Sequence, residues 1–200
     1  MLQKLNFALL IGLASFAFAC GSGNTNSSAE MGEEEEMISN NEAVVEENDP
    51  RSAVAVISGA SGSNVSGTAT FTEMDNGKVK LVIEVENLSE GEHALHLHEN
   101  GDCSAADATS AGGHWNPTDD PHGKRGEDEY HSGDIDNMVV GADGAGSVEM
   151  EVEGWTIGDG SSSDILNKAV IIHAEADDFT SQPSGAAGAR VACGVIQAGS

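Results

Sequence analysis

The sequence predicts an all-β domain over residues 51–200, built as an antiparallel sandwich or barrel. Short apolar runs recur through this region, and glycine, asparagine and aspartate separate them. Glycine contributes 25 of the 200 residues, whereas aromatic residues contribute 4 %. This composition is typical of a β protein with many turns, and the length leaves room for one such domain with extensions.

The strand with the clearest pattern covers residues 78–86. Four apolar side chains alternate there with polar ones: Val79, Leu81, Ile83 and Val85. Alternation with a period of two places all four on one face, as in a half-buried strand. Asn76-Gly77 lies between this strand and residues 68–72, and Asn-Gly between two such runs predicts a hairpin. Further strands are predicted at residues 54–58, 92–98, 147–153, 169–173 and 190–196.

Two long connections rich in glycine and aspartate separate these strands, at residues 99–137 and 175–189. We call them the first loop and the second loop. Loops of this length in a compact domain usually carry function. Six of the seven histidines lie in or beside them, so the loops are the expected location of the functional site.

The histidine spacing predicts a metal site. His96 and His98 are two residues apart on a strand, so both side chains leave the same face about 6–7 Å apart, within reach of one metal ion. Standing alone, such a pair is a weak signal, and core packing or simple exposure to solvent explains it better. The other candidate ligands are His114, His122 and His131 in the first loop, Asp134, and His173 at the end of a distant strand. A β scaffold that brings the two loops together would gather all of them at one place.

Residues 1–19 have the pattern of a signal peptide, with Lys4 before an apolar stretch at residues 7–19 that is too short to span a bilayer. The small residues Ala17 and Ala19 precede Cys20, which resembles a bacterial lipoprotein signal, although leucine is usual where Ala17 stands. Such a signal implies acylation of Cys20 as the mature N-terminus and stable anchoring to a membrane. Ordinary signal cleavage and a retained anchor are the alternatives. We therefore expect an exported protein in a bacterial cell envelope, facing the periplasm or the exterior.

Residues 20–50 are expected to form a disordered tether behind the lipidated cysteine. Between residues 21 and 50 there are nine Asp or Glu and no Lys or Arg, which leaves too little apolar surface to offset the entropy of ordering. A metal-collecting or export-signalling role for residues 33–36, all glutamate, is the alternative. The net charge of −26 also excludes nucleic acid or an anionic bilayer surface as the expected direct partner.

Four motifs resemble the copper/zinc superoxide dismutase family. They are His-x-His-Glu at residues 96–99, Ala-Gly-x-His-x-Asn-Pro at 111–117, His-x-Gly-Asp at 131–134, and Gly-x-Arg-x-Ala-Cys-Gly-Val-Ile at 188–196. The resemblance covers nearly all of the region from residue 54 to residue 196. It implies an eight-stranded antiparallel Greek-key β-barrel with two long functional loops.

The resemblance also implies two sets of metal ligands. The copper set is His96, His98, His114 and His173. The zinc set is His114, His122, His131 and Asp134. Four imidazoles suit a redox-active copper ion, whereas three imidazoles and a carboxylate suit a tetrahedral zinc ion. His114 belongs to both sets, so it has to bind through both ring nitrogens.

The activity that the resemblance implies is the dismutation of superoxide to oxygen and hydrogen peroxide, as antioxidant defence outside the cytoplasm. Copper alternates between two oxidation states in this reaction, His114 supplies a proton, and Arg190 guides the anion. Asp177 is expected to hydrogen-bond one copper ligand and one zinc ligand, and His93 is expected to be structural. An ordinary surface arginine and a solvated loop aspartate are the alternatives for Arg190 and Asp177. A non-catalytic copper/zinc-binding or copper-delivery lipoprotein is the alternative function.

If Cys20 is acylated, Cys103 and Cys193 remain as a pair, and the resemblance implies a disulfide that pins the first loop to the last strand. The sequence leaves the oligomeric state open, with a homodimer as one alternative. Trp115 and Trp155 are candidates for an association surface, because a sequence does not distinguish exposed from core tryptophans.

Overall fold

The computed structural model describes residues 51–199. Its strands are β1 Ser52–Gly59, β2 Ser66–Glu73, β3 Val79–Glu86, β4 Gly91–His98, β5 Asp134–Val140, β6 Gly146–Val152, β7 Ala169–His173, β8 Arg190–Val195 and β9 Gln197–Ala198. No helix in this part of the chain is long and apolar enough to cross a membrane. The predicted signal peptide, Cys20 and the tether lie outside the described residues.

The strands form a closed antiparallel barrel. Neighbours follow the order β2-β3-β6-β5-β4-β7-β8-β1, and pairing of β1 with β2 closes the ring of eight, while the short β9 adds to β1. Strands β3 and β4 follow each other in the chain but are separated in the sheet by β6 and β5, which is a Greek-key connection. The predicted fold class is confirmed.

Alternation along the strands builds the core, as β3 illustrates. The apolar residues Val79, Leu81, Ile83 and Val85 are all buried, and the residues between them face outward. The hairpin before β3 also has the predicted turn. The Asn76 side-chain oxygen accepts a hydrogen bond from the Lys78 amide at 3.0 Å, and Gly77 has a φ of +78°, a region that favours glycine.

The two tryptophans belong to this core. Trp115 is 4 % exposed and Trp155 is 2 % exposed, and their ring centroids lie 6.5 Å apart. The hypothesis that they mark an association surface is therefore wrong. Both rings help to fill the barrel, where burial of large aromatic surfaces contributes most to stability.

Strand β5 is not among the strands that the sequence pattern predicts. Residues 134–137, assigned to the first loop from their polar composition, pair with β4 in the sheet, so that the structure ends this loop at residue 133. Asp134 and Asp136 are polar residues at strand positions, and period-two alternation is weak there. Pairing with a buried neighbour outweighs local propensity at this point.

The first loop is fastened to the barrel by a disulfide between Cys103 and Cys193, with Cα atoms 5.8 Å apart. Cys193 lies in β8, so the covalent bond joins the loop to the last long strand. Small buried side chains surround the bridge, among them Ala60, Ala108 and Ala111. The predicted disulfide is confirmed.

Removal of this disulfide should lower the free energy of unfolding. The bonded cysteines are 90 residues apart, and loss of the cross-link restores conformational entropy to the unfolded chain, roughly 4–5 kcal/mol in the loop-entropy model. Urea unfolding of the double variant C103A/C193A against the oxidised protein measures the loss. Alanine is preferred to serine because Cys193 is buried. Reduction of the unmodified protein with dithiothreitol is the control, and unchanged midpoints in both experiments would contradict the prediction.

Candidate metal centre

The site lies on the outer side of β4 and β7, beneath the two loops. Leu95 and Leu97 point into the barrel core, so the alternating residues His96 and His98 point outward. Both histidines are nevertheless buried, because the loops cover this side of the sheet. His173 ends the adjacent strand β7, which brings it beside them.

Two groups of side chains could each hold a metal ion, with ligand atoms all within 4.8 Å of one another. The first group is the predicted copper set: His96, His98, His114 and His173. The second group consists of His96, His114, His122 and Asp134, so it contains three of the four residues of the predicted zinc set. The structure therefore gathers residues that are as far apart as 77 positions in the chain.

His131, the fourth residue of the predicted zinc set, lies at the edge of the second group. Its Nδ1 atom is 3.2 Å from His114 Nδ1 and 3.3 Å from the Asp134 carboxylate. Its backbone amide donates to the same carboxylate at 2.9 Å. His131 thus faces the atoms that a zinc ion would contact.

Hydrogen bonds determine which ring nitrogen of each copper-set histidine is free. His98 Nδ1 donates to the Gly112 carbonyl at 2.9 Å, and His173 Nδ1 donates to the Gly188 carbonyl at 3.3 Å. His96 Nε2 donates to the Asp177 carboxylate at 2.7 Å. The opposite nitrogens, His98 Nε2, His173 Nε2 and His96 Nδ1, are buried without a hydrogen-bond partner. On each ring the hydrogen-bonded nitrogen carries the proton. The other nitrogen therefore keeps its lone pair for a metal.

The protonation of these rings also suits metal binding. Burial, together with the charge of Arg190, lowers the pKa of His98 to about 2 and that of His173 to about 3, although the hydrogen bond of each ring to a backbone carbonyl acts in the opposite direction. Burial likewise lowers the pKa of His114 to about 4, although Asp134 acts in the opposite direction. These imidazoles are therefore neutral at neutral pH. Each unpaired buried nitrogen costs about 1–3 kcal/mol, and a metal ion would remove that cost.

His114 connects the two groups. Its Nε2 atom is buried without a protein partner on the side of the copper set, and its Nδ1 atom lies 2.8 Å from the Asp134 carboxylate. The ring centroid of His96 is 3.9 Å from that of His114, and the centroid of His122 is 5.4 Å away. The two nitrogens of one imidazole thus face different ligand groups, as a bridging ligand requires.

Asp177, in the second loop, forms a hydrogen bond with one residue of the copper set and one of the zinc set. One carboxylate oxygen accepts from His96 Nε2 at 2.7 Å, and the other accepts from His122 Nε2 at 2.9 Å. Burial raises the pKa of Asp177, but the hydrogen bonds from His122 and His96 outweigh it, so the pKa lies below its usual range. Burial lowers the pKa of His122. The hydrogen bonds with Asp134 and Asp177 outweigh this effect and raise the pKa of His122 to about 9.

Two amides that the sequence analysis did not single out dock the second loop on the metal centre. The Asn137 side chain exchanges two hydrogen bonds with the backbone of Asp177, at 2.7 and 2.9 Å. The Gln182 side chain does the same with the backbone of His122, at 2.9 and 2.8 Å. Gly185, with a φ of +63°, packs so closely that a Cβ atom would lie 1.7 Å from the Asp177 carboxylate. Neither amide belongs to a metal-ligand motif, so no sequence signal marked them.

Arg190 lies beside the copper set. Its guanidinium donates to the Ala108 carbonyl at 2.7 Å and to the Gly112 carbonyl at 2.6 Å. The Gly112 carbonyl also accepts from His98, so one backbone oxygen joins the arginine to a copper-set residue. The remaining N–H donors of the guanidinium are free to bind a small anion.

His93, predicted to be structural, lies outside both groups. Its Nδ1 atom lies 2.8 Å from the carbonyl oxygen of His173, and its Nε2 atom lies 3.0 Å from the carbonyl oxygen of Ser89. Nδ1 donates to the His173 carbonyl, and the Ser89 hydroxyl, 3.2 Å from Nε2, can donate to that nitrogen, so the ring braces the end of β7.

Asp177→Asn should weaken metal binding by about 10- to 100-fold, because an amide cannot accept hydrogen bonds from both rings. The matched control is Asp178→Asn. Asp178 is exposed and accepts from the amides of Thr180 and Ser181, so its loss should leave metal affinity unchanged. Competition with a chromogenic chelator measures the affinities for copper and zinc. Equal affinities in the two variants would show that Asp177 does not orient the ligands.

Comparisons with known proteins agree with this geometry. The family model for copper/zinc superoxide dismutase (SODC) matches residues 65–196. The Cu-Zn superoxide dismutase of Caulobacter vibrioides is 40 % identical over 151 residues, which cover 73 % of this chain and 86 % of that protein. The Cu-Zn superoxide dismutase of Deinococcus radiodurans is 37 % identical over 147 residues, which cover 67 % of this chain and 78 % of that protein.

Solved structures show the same similarity. A SOD-like protein from Bacillus subtilis has a TM-score of 0.65 and 35 % identity, with 71 % of this chain and 96 % of that chain covered. The residues that the family model matches include strands β2 to β8 and both ligand groups. The chain therefore belongs to the copper/zinc superoxide dismutase family.

Proposed function

We propose that this protein dismutates superoxide to oxygen and hydrogen peroxide outside the cytoplasm, as antioxidant defence. The observation that carries the proposal is the position of His114, whose two ring nitrogens face two different groups of potential metal ligands. A protein that only stores metal ions has no need of a shared imidazole. The family to which the chain belongs, and the names of its relatives, support the same activity.

Copper and zinc are the metals of this family, and the donor sets fit them. His96, His98, His114 and His173 would hold copper through four imidazole nitrogens. His114, His122, His131 and Asp134 would hold zinc through three imidazoles and one carboxylate. When bound, copper supplies one-electron chemistry and zinc supplies a fixed positive charge.

His114 has a second role, since the reaction consumes two protons for each pair of superoxide anions. Its Nε2 atom faces the copper set and is buried, so a proton held there is shielded from bulk water. Since Nε2 has no protein partner, a proton there would be available to an anion formed beside it. The zinc set on the Nδ1 side, which includes Asp134, would keep the ring in place during the transfer.

Arg190 attracts the substrate locally. Residues 51–200 carry 25 acidic and seven basic side chains, so the field of the whole domain repels an anion. The Arg190 side chain is held beside His98 by the shared Gly112 carbonyl, and burial lowers its pKa without removing its charge. Attraction therefore acts over a short range.

The leader sequence supports export and lipid anchoring. Lys4, the apolar stretch and Cys20 form a lipoprotein-type signal, and acyl chains on Cys20 would hold the domain to a membrane of the bacterial envelope. The disulfide between Cys103 and Cys193 supports the same proposal, because such bonds persist mainly in oxidising compartments.

His173→Ala should abolish most dismutase activity, because it removes one of the four nitrogens of the copper set. The measurement is the inhibition of superoxide-driven dye reduction by metal-loaded protein. Zinc content, measured in the same samples, is the internal control, since His173 is outside the zinc set. Equal activity of the variant and the unmodified protein would favour the alternative function, a non-catalytic copper/zinc-binding or copper-delivery lipoprotein.

Arg190→Gln should lower the rate constant for superoxide by about 10-fold or more, because the local positive field is lost. Arg51→Gln is the matched control. Arg51 is exposed and paired with Glu73, so its replacement removes the same charge far from the metal centre and should leave the rate unchanged. Pulse radiolysis measures both.

For the unmodified protein, salt should change the rate constant for superoxide only modestly. A steep decline with ionic strength would contradict a short-range attraction.

Export and acylation are tested on the protein purified from the membrane fraction of a bacterial host. Mass spectrometry should find Cys20 as the N-terminal residue with the added mass of acyl chains. The variant Cys20→Ser should move to the soluble fraction. An unmodified N-terminus elsewhere in the chain would contradict lipidation.

A further inference from the structure

Arg125 lies in the first loop between two zinc-set residues, His122 and His131, yet it is not a potential metal ligand. Its side chain is partly buried rather than free in solvent. The guanidinium Nε donates to the backbone carbonyl of Asp134 at 2.6 Å, and an Nη donates to the backbone carbonyl of Ser132. Arg125 therefore forms hydrogen bonds with the backbone at and beside Asp134, the zinc-set residue with a carboxylate.

These two carbonyls lie at the start of β5, away from the single residue pair that joins β5 to β6. Gly133 turns its carbonyl toward β4, where it accepts from Leu97 at 2.7 Å. The carbonyls of Ser132 and Asp134, on either side of Gly133, instead accept from Arg125. Strand β6 cannot meet them, since β5 and β6 share only the pair Val140–Gly146 before they diverge. Arg125 supplies the donors that a neighbouring strand would otherwise provide.

Aromatic rings complete the environment of this cation. The guanidinium carbon lies 5.1 Å from the ring centroid of Tyr130 and 5.0 Å from that of Trp155. The Trp155 indole donates to the Ser132 carbonyl at 2.8 Å, so the ring and the arginine bind the same oxygen. A planar guanidinium suits this position, because it forms two directed hydrogen bonds while its faces contact aromatic rings.

The position of Asp134 matters to three histidines. Its carboxylate lies 2.8 Å from His114 Nδ1, 3.0 Å from His122 Nδ1 and 3.3 Å from His131 Nδ1. A small movement of the Asp134 backbone would change all of these distances together. The hydrogen bond from Arg125 acts on that backbone directly.

We propose that Arg125 is a positioning residue for the zinc set, which binds the backbone at the start of β5 and holds Asp134 and His131 in the geometry that binds zinc. The inference rests on the proposed function, because it assumes that the zinc set binds zinc. It assigns Arg125 no contact with metal or substrate. Its effect should appear in the affinity and geometry of the zinc site and not in the copper set.

The test compares zinc affinity in the full-length protein and three variants, by competition with a chromogenic chelator. Arg125→Met removes the donors but keeps much of the volume, and should weaken zinc binding by about 10- to 100-fold. Arg125→Lys keeps the charge with a single donor atom and should restore part of the affinity. Arg51→Met is the matched control, since Arg51 is an exposed arginine paired with Glu73, and it should bind zinc normally.

Cobalt(II) placed in the zinc set gives a second measurement that does not depend on activity. The visible absorption of the saturated Arg125→Met variant should differ from that of the unmodified protein, because the ligand geometry has changed. An arginine that merely stabilises the fold would lower the Tm and leave the spectrum and the zinc affinity unchanged. That result would overturn the inference alone. Absence of zinc binding in the unmodified protein would overturn the proposed function, and this inference with it.

Discussion

The imidazole of His114 is the group on which the metal centre depends, because its two nitrogens face two different sets of ligands. This arrangement requires the copper ligands and the zinc ligands to lie on opposite sides of a single imidazole ring. The barrel meets the requirement by placing histidines on β4 and β7, and the first loop returns across them with His114. Asp177 then links the sets from the opposite side through His96 and His122.

Burial of so many polar groups has a cost that the surrounding structure limits. Nearly every ring nitrogen that does not face a ligand group has a backbone or carboxylate partner, which fixes tautomers and removes unpaired donors. The disulfide fastens the first loop to β8, and the side chains of Asn137 and Gln182 fasten the second loop to the site. These contacts restrain the long loops over the ligand groups and lower the entropic cost of holding them there.

The net charge of the domain and the charges of the two arginines beside the metal centre have opposite signs. The domain as a whole is strongly acidic, which keeps it soluble and repels anions. Beside the metal centre, Arg190 is held by two backbone carbonyls, and Arg125 lies among carbonyls and aromatic rings. Both arginines bind backbone oxygens and not carboxylates, so neither charge is cancelled by a direct ion pair.

The sequence by itself determined the all-β fold and the ligand types, because alternation along β3 and the histidine motifs are local patterns. It also identified Asp177, Arg190 and the cysteine pair through resemblance to a family. Only the tertiary structure decided strand β5, the burial of Trp115 and Trp155, and the roles of Asn137, Gln182 and Arg125. Each of these depends on a partner far away in the chain, and contacts of that kind leave no periodic pattern in the sequence.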